Sequence, residues 1–237
     1  MLISKLYKKH VGEDIYVVGT GPTGRLLPSS FFNSKTCIGL NQAYKQFSLT
    51  YSITAHPELE VEYCELAKVK AANVTKWIVK HKAPTYLKLY DSTRYVFHTS
   101  TSWDDFIGKD PDKLFLGRGI QQTAIDIAVR MGAANVILVG VDMDSLGGDH
   151  HGHDQHVRFQ GLNPKEAYRE YRLWTYKAKK LAREKAGVNV LSLSPLLGCG
   201  GDIHQEDYVK VRKELGLTEL PKPKDISNIK RKSIDLP

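Results

Sequence analysis

The sequence predicts an α/β fold: an open, mostly parallel sheet in three layers, with helices on both faces. Three observations point there. Short β-branched runs alternate along the chain with stripes of helical period. One run, N-V-I-L-V-G-V at 135–141, is too continuously apolar to leave a face in water. Glycine-rich or polar segments follow the strands, where ligands of such sheets bind. Strand, helix and strand in succession imply parallel strands joined by right-handed crossovers.

The elements follow in order. I-Y-V-V at 15–18 runs into G-T-G-P-T-G, Gly19 to Gly24, and reads as a buried strand feeding a tight loop. T-C-I-G-L at 36–40 and L-T-Y-S-I-T at 49–54 are the next strands. Pro57 opens an acidic stretch, 58–70, that reads as a helix because proline and carboxylates suit a helix start. The segments 74–79, 85–90 and 94–98 are β-like, and 100–113 is turn-rich and reads as a loop. Ile120, Ala124, Ile127, Ala128 and Met131 recur at three and four, a helix stripe that Gly132 ends. Asn163, Pro164 and Glu166 supply an N-cap, a first-turn proline and a capping-box acid for a long helix that Gly187 terminates. V-N-V-L-S-L at 188–193 is the last strand.

Composition sets the class. The chain has 237 residues, 41% hydrophobic and 25% charged, which excludes a disordered chain, a collagen or a coiled coil. We expect one domain over 1–219 and a basic, proline-containing tail over 220–237. Much of the net charge of +8 sits at the ends: Lys5, Lys8 and Lys9 at one, and Lys222, Lys224, Lys230, Arg231 and Lys232 against Asp225 and Asp235 at the other. Solvated termini explain this; basic arms for a nucleic acid are the functional reading. No apolar run reaches the length of a membrane span, and M-L-I-S-K-L-Y-K-K-H lacks the apolar core of a secretory signal. Cys37, Cys64 and Cys199 are too few and too far apart for a disulfide framework, so a cytoplasmic home is expected.

Gly19, Thr20, Gly21, Pro22, Thr23 and Gly24 match the spacing of a phosphate-cradling turn, whose glycines let backbone approach a diphosphate. A tight turn of purely structural value is the alternative. A nicotinamide dehydrogenase fits poorly, since the second strand ends in L-N-Q without the acid that holds ribose hydroxyls. Asn41 and Gln42 at that strand end suit a base or ribose, or Asn41 caps the following helix. Arg118, between Gly117 and Gly119 ahead of a helix, offers a planar fork to phosphate or carboxylate, or is a surface arginine. Ser192, Ser194 and G-C-G-G at 198–201 follow the last strand toward the same crevice.

The densest polar cluster is D-M-D-S-L-G-G-D-H-H-G-H-D-Q-H, from Asp142 to His156. It follows the most apolar strand, where chemistry in this architecture belongs. His150, His151, His153 and His156 are candidates for a general base, and Asp142 and Asp144 for Mg²⁺ on a diphosphate. A solvated glycine-rich loop is the bland alternative; a structural zinc site would want paired ligand spacing.

Taken together, a strand into G-x-G-P-[ST] (Gly19, Gly21, Pro22, Thr23), a strand ending in Asn41 and Gln42, and A-V-R-M-G-A-A-N-V-I-L-V-G-V-D at 128–142 carry a resemblance. The chain resembles the bacterial CMP-sialic-acid-dependent sialyltransferases with a Rossmann-like domain. It is similar too to the family containing archaeal 6-hydroxymethylpterin diphosphokinase and motility-associated flagellin-glycosylation proteins. The resemblance covers roughly residues 14–56 and 115–160. It implies a nucleotide-activated donor across Gly19 to Thr23 and Asn41, with transfer of a sugar or a diphosphate from it. It also implies a histidine base after the strand ending at Asp142, and tyrosines on the departing phosphate. No tyrosine lies between Asp142 and His156; Tyr168 and Tyr171 come later, and Gly117, Arg118 and Gly119 stand where the sialyltransferases have a serine. Sialic acid as the particular donor sugar is therefore not supported.

Three functions follow as expectations. The first is a glycosyltransferase moving a sugar from a nucleotide sugar to an acceptor hydroxyl. The second is a metal-dependent diphosphokinase acting from ATP on a hydroxymethyl group. The third is a nucleotide- or nucleic-acid-binding module without catalysis.

Overall fold

The computed structural model describes residues 1–21, 24, 27, 29–55, 76–80, 93–142 and 164–193. Their strands are β1 (Asp14–Val18), β2 (Thr36–Leu40), β3 (Tyr51–Thr54), β4 (Lys76–Lys80), β5 (Thr93–Ser100), β6 (Lys113–Phe115), β7 (Asn135–Val139) and β8 (Asn189–Ser192). The α-helices among them are α1 (Ile120–Arg130) and α2 (Pro164–Ala186).

All strands join one open sheet in the order β6-β5-β4-β3-β2-β1-β7-β8, each neighbour parallel to the next. From β1 the chain steps outward strand by strand to β6, then returns through α1 to lay β7 on the other side of β1. Strand order therefore reverses between β1 and β7, which pair from Asp14↔Asn135 to Val18↔Val139. In sheets of this kind a crevice opens beyond the carboxyl ends of the strands at such a reversal.

Two-residue periodicity sorts the central strands into two cores. Ile15 and Val17 of β1, Ile38 and Leu40 of β2, and Val136 and Leu138 of β7 face one side. Tyr16, Val18, Cys37, Ile137 and Val139 face the other. On the first side lies α1, every residue of which is buried, with α2 packed against it through Ala178 and Ala182 and the 105–115 segment against its C-terminal half. On the second side, 3-10 turns at Ser29–Phe32 and Ala43–Lys45 bring Phe31, Phe32, Tyr44 and Phe47 onto the sheet. There Phe32 meets the edges of Phe31 and Phe47, with each pair of ring centres 4.9 Å apart.

Burial of α1 on all sides forces its charges to pair. Arg130 Nε donates to Asp126 Oδ1 at 2.7 Å, and its remaining N–H groups reach Tyr7 Oη (2.7 Å) and the carbonyls of Asp110 (3.0 Å), Asp105 (2.9 Å) and Lys113 (3.2 Å). The donor capacity of the guanidinium is thereby filled. Asp126 in turn accepts the amides of Ile107 and Phe115. One ion pair thus holds the 105–115 segment and the N-terminus against the helix.

Most expected strands and helices are present, with Gly132 (φ +94°) and Gly187 (φ +70°) just past the helix ends as read from the sequence. Two expectations change. The stretch 100–113 is more than a loop: it begins in β5, turns through a 3-10 turn at Trp103–Asp105 and ends in the edge strand β6. The N-terminus is not merely solvated, because Ile3 and Leu6 are fully buried and Met1 O accepts the amide of Val96 at 2.8 Å; Lys5, Lys8 and Lys9 do face water. The expected helix at 58–70, the strand at 85–90 and the tail from 220 lie outside the described residues.

Candidate functional site at the strand-order reversal

The turn after β1 and the end of β7 are built against each other. Gly19 N–H donates to Val139 O and Gly21 N–H to Gly140 O, both at 2.7 Å, and Gly24 N–H donates to Gly21 O at 3.1 Å. A side chain on Gly19 would run into the Gly140 carbonyl, and one on Gly21 would place Cβ 2.5 Å from Asp142 Oδ2 and 2.5 Å from Gly140 O. Gly140, at φ +61°, carries β7 through this crossing. The glycines thus let two backbones touch. Their amides are engaged with β7, which corrects the expectation that Gly19 and Gly21 offer N–H groups to a phosphate.

Asp142 is 2% exposed and lies at the same crossing, so the chain enters the histidine segment from beside the glycine turn. Pro22, Thr23, Asp144, His150, His151, His153 and His156 lie outside the described residues, as do Ser194 and 198–201. Among the described residues no three His, Cys, Asp or Glu side chains are grouped to hold a metal.

Asn41 and Gln42 stand one strand away, beyond the end of β2. Asn41 adopts φ +48° and donates its backbone N–H to Ile53 O at 3.0 Å. Its Oδ1 accepts the Thr54 hydroxyl at 3.2 Å. The cap of the 3-10 turn falls on Gln42, which makes no side-chain cap bond, so Asn41 is not the helix cap that its residue type allowed. Gln42 is only 5% exposed.

Arg118 and Gly119 start α1 at the carboxyl side of β6. Gly119 N–H donates to Gln122 Oε1 at 2.9 Å, and Gln122 Nε2 donates to Thr175 Oγ1 of α2 at 3.1 Å. The Gly119 amide is therefore occupied inside the helix pair. Arg118 Nε sits 3.0 Å from Glu170 Oε2, both side chains more than a third exposed, and its terminal nitrogens have no partner among the described residues. Gly117 admits no side chain because Trp174 lies against it, which seats Arg118 at the α1–α2 junction. Burial raises the Tyr171 phenol above its ordinary range, opposed by the Arg118 charge and reinforced by Glu170, so Tyr171 remains a neutral donor at pH 7. Gln122, Thr175 and Thr54 carry no motif, and sequence reading passed over them.

An open parallel α/β sheet whose strand order reverses between β1 and β7 is the class that these features define. Among solved structures the chain is similar to the sialyltransferase CstII from Campylobacter jejuni in complex with the substrate analogue CMP-3FNeuAc: 14% identity, TM-score 0.46, 77% of this chain and 82% of that one. A structure of a single-residue variant of the same sialyltransferase, in complex with CMP, gives the same values. A MAf glycosyltransferase from Magnetospirillum magneticum AMB-1 is similar at 14% identity and TM-score 0.49 over 82% of this chain, which spans 35% of that protein. No family model matches the chain, and no curated protein matches it. At such identities the chemistry of this chain has to be read from its own residues.

Proposed function

We propose that this chain is a nucleotide-donor-dependent transferase that moves a sugar from a nucleotide sugar to an acceptor hydroxyl. The observation that supports the reading is the contact of the Gly21 turn with Asp142 at the strand-order reversal, the place where ligands of such sheets bind. Asn41 and Arg118 supply side-chain donors for the nucleotide, in place of the glycine amides that β7 engages. The resemblance of the motifs to nucleotide-sugar transferases supplies the reaction class.

In this reading a histidine among His150, His151, His153 and His156 removes the proton from the acceptor hydroxyl. The oxygen attacks the anomeric carbon, the bond from that carbon to the phosphate oxygen breaks, and the nucleotide departs with the electron pair. Cationic and amide donors stabilise the charge that develops on the leaving phosphate. The neutral Tyr171 phenol is a candidate for that role.

Incubation with a panel of CMP-, UDP- and GDP-sugars tests the reading through released nucleotide. Release from one donor class, lost in His→Ala variants at 150, 151, 153 or 156, supports it; no release from any donor discards it. Diphosphate transfer from ATP is the second reading, favoured by the carboxylate of Asp142 at the crevice. It requires a metal to neutralise phosphoryl charge. Full activity in excess chelator, or a mild effect of Asp142→Asn, excludes it.

A further inference from the structure

Thr54 ends β3 and is 1% exposed, yet its hydroxyl is directed at the next strand's connection, where it donates to Asn41 Oδ1 at 3.2 Å. Asn41 is held from a second direction by its own amide, bonded to Ile53 O at 3.0 Å. Between these anchors it keeps φ +48°, a left-handed conformation that asparagine adopts more readily than most residues but that still costs energy. Strain of this kind persists where surrounding contacts over-determine it.

The chemistry of a carboxamide makes the arrangement directional. With Oδ1 occupied by the hydroxyl, the Nδ2 group, a pure donor, is left, and it has no partner among the described residues. Asn41 is only partly buried and stands at the carboxyl edge of the sheet, on the ligand side. We propose that Thr54 is a positioning residue that locks the Asn41 carboxamide with its N–H groups toward the cleft, so that this point of the site selects a hydrogen-bond acceptor on the nucleotide. Phosphate, ribose hydroxyl and base carbonyl oxygens qualify; a group that can only donate does not. This inference rests on the nucleotide-binding reading above.

Titration of the full chain with CMP, UMP, GMP and AMP, in wild type, Thr54→Ser and Thr54→Val, tests it together with side-chain amide NMR of Asn41. Thr54→Ser keeps the hydroxyl and binds within about twofold of wild type. Thr54→Val keeps the shape and loses the anchor, so affinity falls roughly tenfold, the worth of one buried hydrogen bond. In an assay with the nucleotide sugar, the donor KM rises while kcat stays. The Asn41 Nδ2 protons exchange freely with water before nucleotide is added and become protected afterwards. Equal affinity of Thr54→Val and wild type overturns the positioning role, as does protection of the Nδ2 protons in the free protein. If wild type binds none of the four nucleotides, the nucleotide reading fails and this selection falls with it, whereas binding that ignores Thr54 leaves the nucleotide reading standing.

Discussion

Gly21 and Asp142 stand in contact: a Cβ on the glycine would lie 2.5 Å from the carboxylate oxygen Oδ2. That is closer than carbon and oxygen approach without bonding, and the Gly140 carbonyl closes the other side. Gly21→Ala therefore has to push β1 and β7 apart. We expect a loss of about 1–3 kcal/mol, the usual range for overpacking, together with weakened nucleotide binding. Urea unfolding and a nucleotide titration check the two effects; an alanine variant that is as stable as wild type contradicts the contact.

The Asp126–Arg130 pair is a second point of failure. Arg130→Met leaves a buried carboxylate without its cation, and breaking such a pair costs about 3–5 kcal/mol. The double replacement Asp126→Leu with Arg130→Met removes both charges and is expected to be less damaging than the single change. A double-mutant cycle by chemical unfolding measures the coupling, and additive losses argue against it.

At the N-terminus the apolar and basic residues separate cleanly. Ile3 and Leu6 are fully buried, so Ile3→Ala or Leu6→Ala removes about 2–5 kcal/mol. Lys5→Ala on the exposed side changes stability by no more than about 0.5 kcal/mol. Melting temperatures of the three variants decide this, with equal shifts as the contrary result.

Alkaline pH probes two phenols. Burial pushes both Tyr7 and Tyr51 up to about 12, with the Arg130 charge opposing the rise at Tyr7 and Tyr95 and Glu13 adding to it at Tyr51. A raised phenol pKa means that the fold favours the neutral form. The stabilisation is intact below about pH 10 and is lost as pH climbs through about 12. Phenolate absorbance followed beside circular dichroism should show these two tyrosines ionising late and together with unfolding. Tyr51→Phe should move unfolding to higher pH; ionisation of both groups near pH 10 in the intact fold would falsify the burial argument.

Much of the sheet was legible because its signal is local. The apolar run of β7 and the glycine that ends α1 declare themselves within a dozen residues, and so does the turn after β1. By contrast, β6 is three residues long and begins with a lysine, too short to show a period. The Asp126–Arg130 pair sits at i,i+4, which usually marks a solvated face. It is buried here because Tyr7 and the 105–115 segment close over it, and that packing is a tertiary fact. Asn41 was legible as a strand-end amide, whereas Thr54 read as one more β-branched strand residue. Its hydroxyl gains meaning only when β2 and β3 are paired. The glycine amides were misjudged for the same reason: spacing reveals a tight turn, but not whether its N–H groups face a ligand or the neighbouring strand.

Calorimetric titration of the full chain with CMP, UMP, GMP and AMP, repeated on Gly21→Ala and Asn41→Ala, tests the crevice most directly. Binding of one base family at one site, weakened at least tenfold in both variants while each stays folded, is the outcome this account predicts. Absence of binding by every nucleotide, or binding that neither substitution disturbs, contradicts it.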